Sequence, residues 1–382
     1  MLRVTVDASP ILPKPSGVGF YVVKLLEGLT RLALEEQDVA IEPLYQISLK
    51  NALKGKFSAP EVLTQYSNLR YFPLPVKATN LFLHYPWLFL PIVERSFGLA
   101  DIFHGTNYTV FPCRKSRKVM TIYDLTFLKY PQFTDSVVAK YGDRVRRCLK
   151  WTDLVLTISE SSKRDIVEYL GYSADRIVVT PLASRYDLDY KLSLDQNIGY
   201  NLGQPYILFV STIEPRKNIV GLIDAFDELK RKQNIPHNLV LVGQKGWRYE
   251  AIFERIARSP YRDNIYHLNY LSNDAVAMLY RQAALFIYPS HYEGFGLPVL
   301  EAMTLGTPVV CSDNSSLPEV AGDAALYVNC EDISGMAEAM EKIIGDSQLR
   351  QSLIDRGRQQ AAQFSWMRTA KETLQAYRTL SP

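Results

Sequence analysis

Two glutamates eight residues apart, Glu293 and Glu301, stand in the stretch richest in chemistry-bearing residues, LFIYPSHYEGFGLPVLEAMTLGTPVVCSDNSSLPEVAG at 285–322. LFIYP reads as a strand, and Glu293-Gly294-Phe295-Gly296 as a tight loop. Pro298 suits the first turn of a helix, and Gly306 suits its stop. Glycines let backbone N–H groups approach an anion, and the helix N-terminus adds a positive dipole. Two carboxylates thus flank a phosphate-sized pocket, and one of them can accept hydrogen bonds from a diol such as a ribose. An isolated pair of glutamates would more often mark a capped helix with solvated side chains. Here the glycine loop and the helix start coincide with them.

A second stretch, YILFVSTIEPRKNIVGLIDAF at 206–226, places Arg216 and Lys217 in the loop between a strand and a helix. Cations there can neutralise a departing diphosphate without a metal. A lone basic pair is ordinarily a solvated turn, and its place after a strand of the same half argues otherwise. A third strand end, NLVLVGQKGW, supplies Gly243 and Gly246. In the first half, Gly17 and Gly19 lie where a first strand gives way to a first helix. They lack the third glycine of a dinucleotide fingerprint. His104, in FHGTNY, and Asp124, in TIYDL, end two further strands. Asp187-Leu188-Asp189 has the form of a metal-binding Asp-x-Asp but sits in a polar stretch rather than after a buried strand. No Walker loop, G-x-S-x-G elbow or H-E-x-x-H is present.

The elements that must position these groups alternate along the chain. LRVTVDAS, AIEPLY, DIFHG, KVMTIYD, LVLTIS and RIVVTPLA read as strands in the first half. YILFVS, NLVLVG, IYHLNYL, ALFIYPS, PVVCS and ALYVN do so in the second. Several are apolar on consecutive residues, as strands buried on both faces require. Amphipathic helices lie between them, which implies parallel sheets covered on both sides. The pattern weakens over about 184–204, a polar stretch that reads as a linker. The expected α/β organisation is an N-terminal Rossmann-like domain over 1–190, a linker over 191–204, a second Rossmann-like domain over 205–365 and a closing helix over 366–382. Two doubly wound domains would face a cleft, with chemistry in the loops beyond strand ends.

The chain has 382 residues, 47% hydrophobic and 22% charged, which excludes a disordered protein. Its net charge of +3 is too balanced for a general nucleic-acid binder. Residues 1–190 carry a net +5 and the remainder −2, so the first half is better suited to an anionic partner. Arg114, Lys115, Arg117 and Lys118 cluster there, as do Arg144, Arg146, Arg147 and Lys150. Four cysteines with no C-x-x-C pair argue against a zinc site or a disulfide scaffold and suit a reducing compartment. MLRVTVDAS reads as a strand, not a signal peptide. No run of eighteen apolar residues occurs, and LFLHYPWLFLPIVERSFG at 81–98 reads as a buried or interfacial helix. The expected location is the cytoplasm, with peripheral contact at the inner face of an anionic membrane.

Together these residues resemble the retaining glycosyltransferases of GT-B fold, family four (group 1), over nearly the whole chain. Glu293 to Pro298 through Glu301-Ala302-Met303 matches that family's E-x7-E signature. Gly306-Thr307-Pro308-Val309-Val310, Pro318-Glu319-Val320, TIEPRKN, SKRDI and Phe364-Ser365-Trp366 continue the likeness. The resemblance implies a final helix crossing back to the first domain and retention of anomeric configuration. It implies a nucleotide-sugar donor on the C-terminal domain and an acceptor on the N-terminal one. Glu301 would bind the ribose, Glu293 would face the donor sugar and phosphates, and Lys217 would bind the diphosphate.

On this basis the catalytic candidates are Glu293, Lys217, Arg216 and Asp124. Donor-binding candidates are Glu301, Gly294, Phe295, Gly296, Leu297, Thr212, Gly243 and Leu271. Acceptor-side candidates are Gly17, Gly19, His104 and Tyr123. No cofactor and no metal are expected. Two positions depart from the family pattern. Thr212 stands where many relatives have arginine, with Arg216 as its substitute, and Tyr123 stands where many have histidine.

The implied activity is transfer of a hexose from a nucleotide-diphosphate sugar to a glycan or lipid-linked acceptor. The TIEPRKN and GQKGW pair resembles mannosyltransferases, so GDP-mannose is the first donor to test and UDP-glucose the next. A phosphorylase of the same shape would need pyridoxal phosphate and a longer chain. A non-catalytic sugar-nucleotide-binding protein would keep the ribose and phosphate motifs without turnover.

Overall fold

Apolar runs too short for helices become strands when parallel neighbours cover both their faces. The computed structural model shows this in two compact units, Met1–Leu182 with Ser365–Pro382, and Ala183–Phe364. It describes residues 1–12, 17–47, 53, 58–75, 83–98, 100–134, 141–192 and 203–380.

Unit 1 is built on seven parallel strands: β1 (Leu2–Asp7), β2 (Val39–Gln46), β3 (Arg70–Phe72), β4 (Ile102–Gly105), β5 (Arg117–Thr121), β6 (Leu154–Thr157) and β7 (Ile177–Val179). Their order is β3-β2-β1-β4-β5-β6-β7. The order of winding reverses at β1, where Val4 pairs in parallel with both Ile41 and Ile102. The three-residue β3 has no clear apolar signal in the sequence and was not expected from it. The interfacial stretch at 81–98 forms the helix Pro86–Phe97, with Leu88 and Ile92 exposed. Among the described residues no helix is long and apolar enough to cross a membrane.

The closing helix Trp366–Arg378 belongs to unit 1, as the crossover reading requires. Ser365 caps it, accepting the Arg368 N–H at 3.1 Å. It lies on the helix Gly17–Glu36, where Gly28 permits close approach: a Cβ there would come within 2.6 Å of Ala370. Trp366 packs edge-on to Phe20 at 5.7 Å.

Unit 2 has six parallel strands: β8 (Tyr206–Val210), β9 (Asn238–Val242), β10 (Ile265–Leu268), β11 (Leu285–Tyr288), β12 (Val309–Ser312) and β13 (Ala325–Val328). Their order is β10-β9-β8-β11-β12-β13. Here the winding reverses between β8 and β11, so the loops after those two strands diverge from a common crevice at their carboxyl ends. β9 and β11 are buried along their whole length.

The boundary between the units falls after Leu182, ahead of the expected 190. Residues 193–202 of the expected linker lie outside the described residues. Ser184–Tyr190, read from its polarity as linker, is instead packed into unit 2. The Tyr186 and Tyr190 rings meet at 5.0 Å, and the Tyr186 hydroxyl donates to the Asn273 carbonyl at 3.0 Å.

Candidate active site

The two loops that leave the crevice of unit 2 carry the basic pair and the first glutamate. After β8 the chain forms a single 3-10 turn, Pro215–Lys217, which proline starts. Asn218 ends it in the left-handed region, at φ +53°. After β11 come Ser290 and the Glu293 loop, then the helix Leu297–Thr304. Gly296 precedes that helix at φ +110°, a conformation that favours glycine, and a Cβ there would meet Leu317 at 2.7 Å.

Lys217 is 4% exposed, and its Nζ donates to Glu293 Oε1 at 2.5 Å and to the Tyr288 hydroxyl at 2.8 Å. Arg216 Nη1 lies 3.1 Å from Glu293 Oε2. Ser290 adds a hydroxyl to Glu293 Oε1 at 2.6 Å. Burial pushes the Glu293 carboxyl up, but Arg216 and Lys217 outweigh it and hold the group at about 2. Burial and the neighbouring Arg216 lower the Lys217 ammonium from its ordinary value, against the pull of Glu293. The result is an ionised carboxylate clamped by two cations in a nearly dry site.

Arg216 is itself fixed. Its Nε and Nη2 donate to Glu214 Oε1 at 3.2 and 2.9 Å, and Trp247 Nε1–H holds the other Glu214 oxygen at 3.1 Å. Nη1 also donates to the Tyr292 carbonyl at 2.6 Å. Thr212, expected among the donor-binding residues, is exposed. The geometry therefore puts Arg216 on Glu293 and leaves Thr212 outside this cluster.

Glu301 lies in the helix Leu297–Thr304 and is 2% exposed. Its Oε1 accepts from Arg185 Nε at 2.5 Å. Burial raises its pKa, and Arg185 opposes the rise. The glutamate pair thus differs in environment: Glu293 answers two cations, whereas Glu301 answers one arginine from the start of the unit. Gly243 ends β9 at φ +147°, and a Cβ there would come within 1.9 Å of the Ser211 carbonyl oxygen, so only glycine lets these loops touch. Gly294 is buried within the Glu293 loop. Phe295 is 5% exposed and packs edge-on against Phe364 at 5.8 Å, a packing role rather than an open contact. Leu297 and Leu271 are half-buried at the starts of their segments. Ser316 ties the loop down, its hydroxyl 2.9 Å from the Glu293 carbonyl and 2.8 Å from that of Phe295.

In unit 1 the structure corrects the acceptor-side assignment of His104. The residue is fully buried. One ring nitrogen meets the Thr121 hydroxyl at 2.7 Å and the other meets the Tyr377 hydroxyl at 2.7 Å. Burial lowers its pKa to about 3. A neutral imidazole with both nitrogens engaged joins β4, β5 and the closing helix, and offers nothing to a ligand. Tyr123 is also inward-facing: its hydroxyl donates to the Thr106 carbonyl, and its ring lies edge-on to Tyr21 at 5.5 Å. Asp124 is half-buried beyond β5, where its Oδ1 accepts the Thr126 N–H at 3.0 Å. Gly17 is exposed at the start of its helix and Gly19 is buried. Residues 13–16, just before them, lie outside the described residues. Asp187 and Asp189 are both exposed on unit 2.

Several residues of these clusters were not anticipated: Arg185, Glu214, Tyr288, Ser290 and Ser316 in unit 2, and Asp7 in unit 1. Asp7 ends β1, accepts the Ser9 N–H at 2.9 Å, and has its pKa raised by burial. An acidic residue closing an apolar strand was the available signal for Asp7. Nothing local marks the others.

Comparison with known proteins identifies the family. Residues 192–360 match the family model "Glycosyl transferases group 1". The chain is 32% identical over 395 residues to O-antigen chain mannosyltransferase B of Escherichia coli, covering 99% of this chain and all of that one. A serotype-specific mannosyltransferase of Escherichia coli is 30% identical over 66% of this chain, which corresponds to 31% of its own length. Among solved structures, sucrose-phosphate synthase from Thermosynechococcus elongatus superposes with a TM-score of 0.74 at 19% identity, covering 100% and 99% of the two chains. Two Rossmann-like units with a returning terminal helix, carrying this site, define a glycosyltransferase of GT-B fold. The chain belongs to the group 1 glycosyltransferases.

Proposed function

We propose that this protein transfers mannose from GDP-mannose, with retention and without a metal, to a growing glycan or lipid-linked acceptor. The observation that carries the reading is the Arg216–Lys217–Glu293 cluster at the β8/β11 crevice, with Glu301 on the helix that follows. Full-length similarity to a mannosyltransferase supports the class of reaction. In the transfer the bond from the anomeric carbon to the diphosphate oxygen breaks, and a bond to the acceptor oxygen forms. The nucleoside diphosphate leaves with its charge increased, and the acceptor hydroxyl gives up its proton. Lys217 and Arg216 answer the leaving charge, together with the N-terminus of the helix Leu297–Thr304. Glu301 accepts from the ribose hydroxyls. Asp124 orients the acceptor hydroxyl.

Isotope-traced turnover of GDP-mannose against UDP-glucose, with a membrane extract as acceptor, tests the donor and separates an enzyme from a sugar-nucleotide-binding protein. Thermal unfolding with GDP, UDP, ADP and dTDP ranks the nucleotides, because a ligand of the folded state raises the midpoint by mass action. Stabilisation by UDP and not by GDP overturns the mannose reading. The anomeric configuration of the product tests retention.

Transfer is expected to continue in excess EDTA, because in this reading Arg216 and Lys217 supply the positive charge that a metal supplies in other enzymes. Complete loss with EDTA, restored by manganese, would move attention to Asp187 and Asp189.

The lipid-linked acceptor gives a use to the basic face of unit 1. A concavity of about 440 Å³ at the start of β5 is lined by Arg114, Lys115, Arg117 and Lys118. Asp153 offsets part of this charge, lying 3.5 Å from Arg117 and 2.8 Å from Lys118. In the second basic cluster Arg146 donates to the Tyr169 carbonyl and Arg144 stacks on the Tyr141 ring, contacts that leave both charges uncompensated. Binding to acidic liposomes should exceed binding to neutral ones and weaken with salt. Equal binding to both removes this partner.

A further inference from the structure

Three donor atoms of different chemistry converge at the carboxyl edge of the unit 2 sheet. His291 follows β11, two residues before Glu293. Cys330 and Glu331 follow β13, ahead of the helix Ile333–Gly345. One ligand atom from each lies within 4.8 Å of the other two. His291 Nδ1 stands 3.5 Å from Cys330 Sγ and 3.1 Å from Glu331 Oε1. A tetrahedral zinc ion with ordinary bond lengths holds an imidazole nitrogen and a thiolate roughly 3.6 Å apart, and a nitrogen and a carboxylate oxygen about 3.3 Å apart. The observed separations already approach those values.

We propose that His291, Cys330 and Glu331 form a site for one thiophilic divalent cation of the zinc class. The donor set selects the ion: a sulfur and an imidazole suit zinc or cobalt, whereas magnesium and calcium require oxygen ligands. Three protein ligands leave a fourth position to water. The backbone at all three ligands is held in place independently of any ion. The His291 N–H donates to the Arg216 carbonyl at 2.9 Å, Asn218 Nδ2 donates to the Cys330 carbonyl at 2.6 Å, and the Glu331 N–H donates to Asn329 Oδ1 at 2.9 Å. Asn314 Nδ2 lies 3.7 Å from Cys330 Sγ, the kind of outer contact that supports a metal-bound thiolate. The absence of a C-x-x-C pair is no obstacle, because the ligands come from two loops brought together by the β11-β12-β13 order. A bound ion would tie the β13 loop to the loop that carries Glu293. It takes no part in the transfer step proposed above, and the site does not depend on that reading.

The test uses the full-length, tag-free, metal-stripped protein. Calorimetric titration with zinc should show one equivalent bound. Titration with cobalt should produce the absorption of a thiolate–cobalt bond. Cys330→Ser should remove that absorption and weaken zinc at least tenfold. His291→Ala should weaken zinc to a similar degree, and Glu331→Gln less, because Glu331 is largely exposed and water can replace it. The thermal unfolding curve of metal-free Cys330→Ser should match that of the metal-free wild type, which shows that the variant is folded. No stoichiometric zinc in the wild type, a cobalt spectrum without the thiolate band, or wild-type zinc affinity in Cys330→Ser would each overturn the site. The cobalt spectrum of the wild type decides the matter even if a variant fails to fold.

Discussion

Lys217→Ala should lower kcat by roughly 10²–10³, equivalent to about 2.7–4 kcal/mol, the range seen when one preorganised group facing transition-state charge is removed. Lys217 is nearly sealed from solvent, so no water is in place to take over its role. The leaving nucleoside diphosphate carries more charge in the transition state than in the bound donor. The loss should therefore fall on kcat more than on nucleotide affinity. The substitution also breaks a buried ion pair, and removing one partner of such a pair destabilises by roughly 3–5 kcal/mol. Arg216 remains on Glu293 at 3.1 Å and limits that loss. Lys217→Met keeps the volume of the stem and serves as the companion variant. If either variant is folded by its unfolding curve and turns over at the wild-type rate, Lys217 does not face the leaving group.

The second large effect concerns donor binding. Glu301→Ala removes the acceptor proposed for the ribose diol and leaves polar groups unpaired at about 1–3 kcal/mol. Nucleotide affinity should fall roughly 5- to 150-fold. Arg185 complicates the site in a readable way. Its Nε donates to Glu301 Oε1, so ribose must share that carboxylate or displace the arginine. Glu301→Gln retains one carbonyl acceptor and should weaken binding less than Glu301→Ala. Calorimetry with GDP checks both variants, and an unchanged Kd in Glu301→Ala ends the ribose assignment.

These expectations differ in how much of them could be read without coordinates. Apart from β3, the strands of both sheets were legible because parallel strands covered on both faces must be apolar on consecutive residues, as LVLT of β6 and LFIY of β11 are. The helix Leu297–Thr304 was legible because proline and glycine punctuate it locally. Glu293, Glu301, Arg216 and Lys217 were legible because each lies within a few residues of a strand end or a helix start. The family resemblance added roles to those positions, and similarity over the full chain to a mannosyltransferase supports the class of reaction.

Other features have no local signature. His104 and Lys217 are both polar residues of strand ends or the loops after them, yet one is a structural bridge and the other faces a carboxylate. The difference comes from the closing helix, whose Tyr377 is 273 residues from His104 and takes one of its ring nitrogens. Polar composition made Ser184–Tyr190 look like linker. Arg185 and Tyr186 are polar because they meet Glu301 and the Asn273 carbonyl, partners about a hundred residues away. Glu214 holds Arg216 only because Trp247 comes back over it from the end of β9. Likewise His291 and Cys330 are 39 residues apart in the chain and 3.5 Å apart in space. The sequence by itself determined the two parallel-sheet units, the glutamate signature and the basic pair, because backbone periodicity and turn chemistry are local. Which side chains face one another across the carboxyl edge of each sheet was decided by tertiary structure, because strand order, and not strand sequence, sets which loops are neighbours.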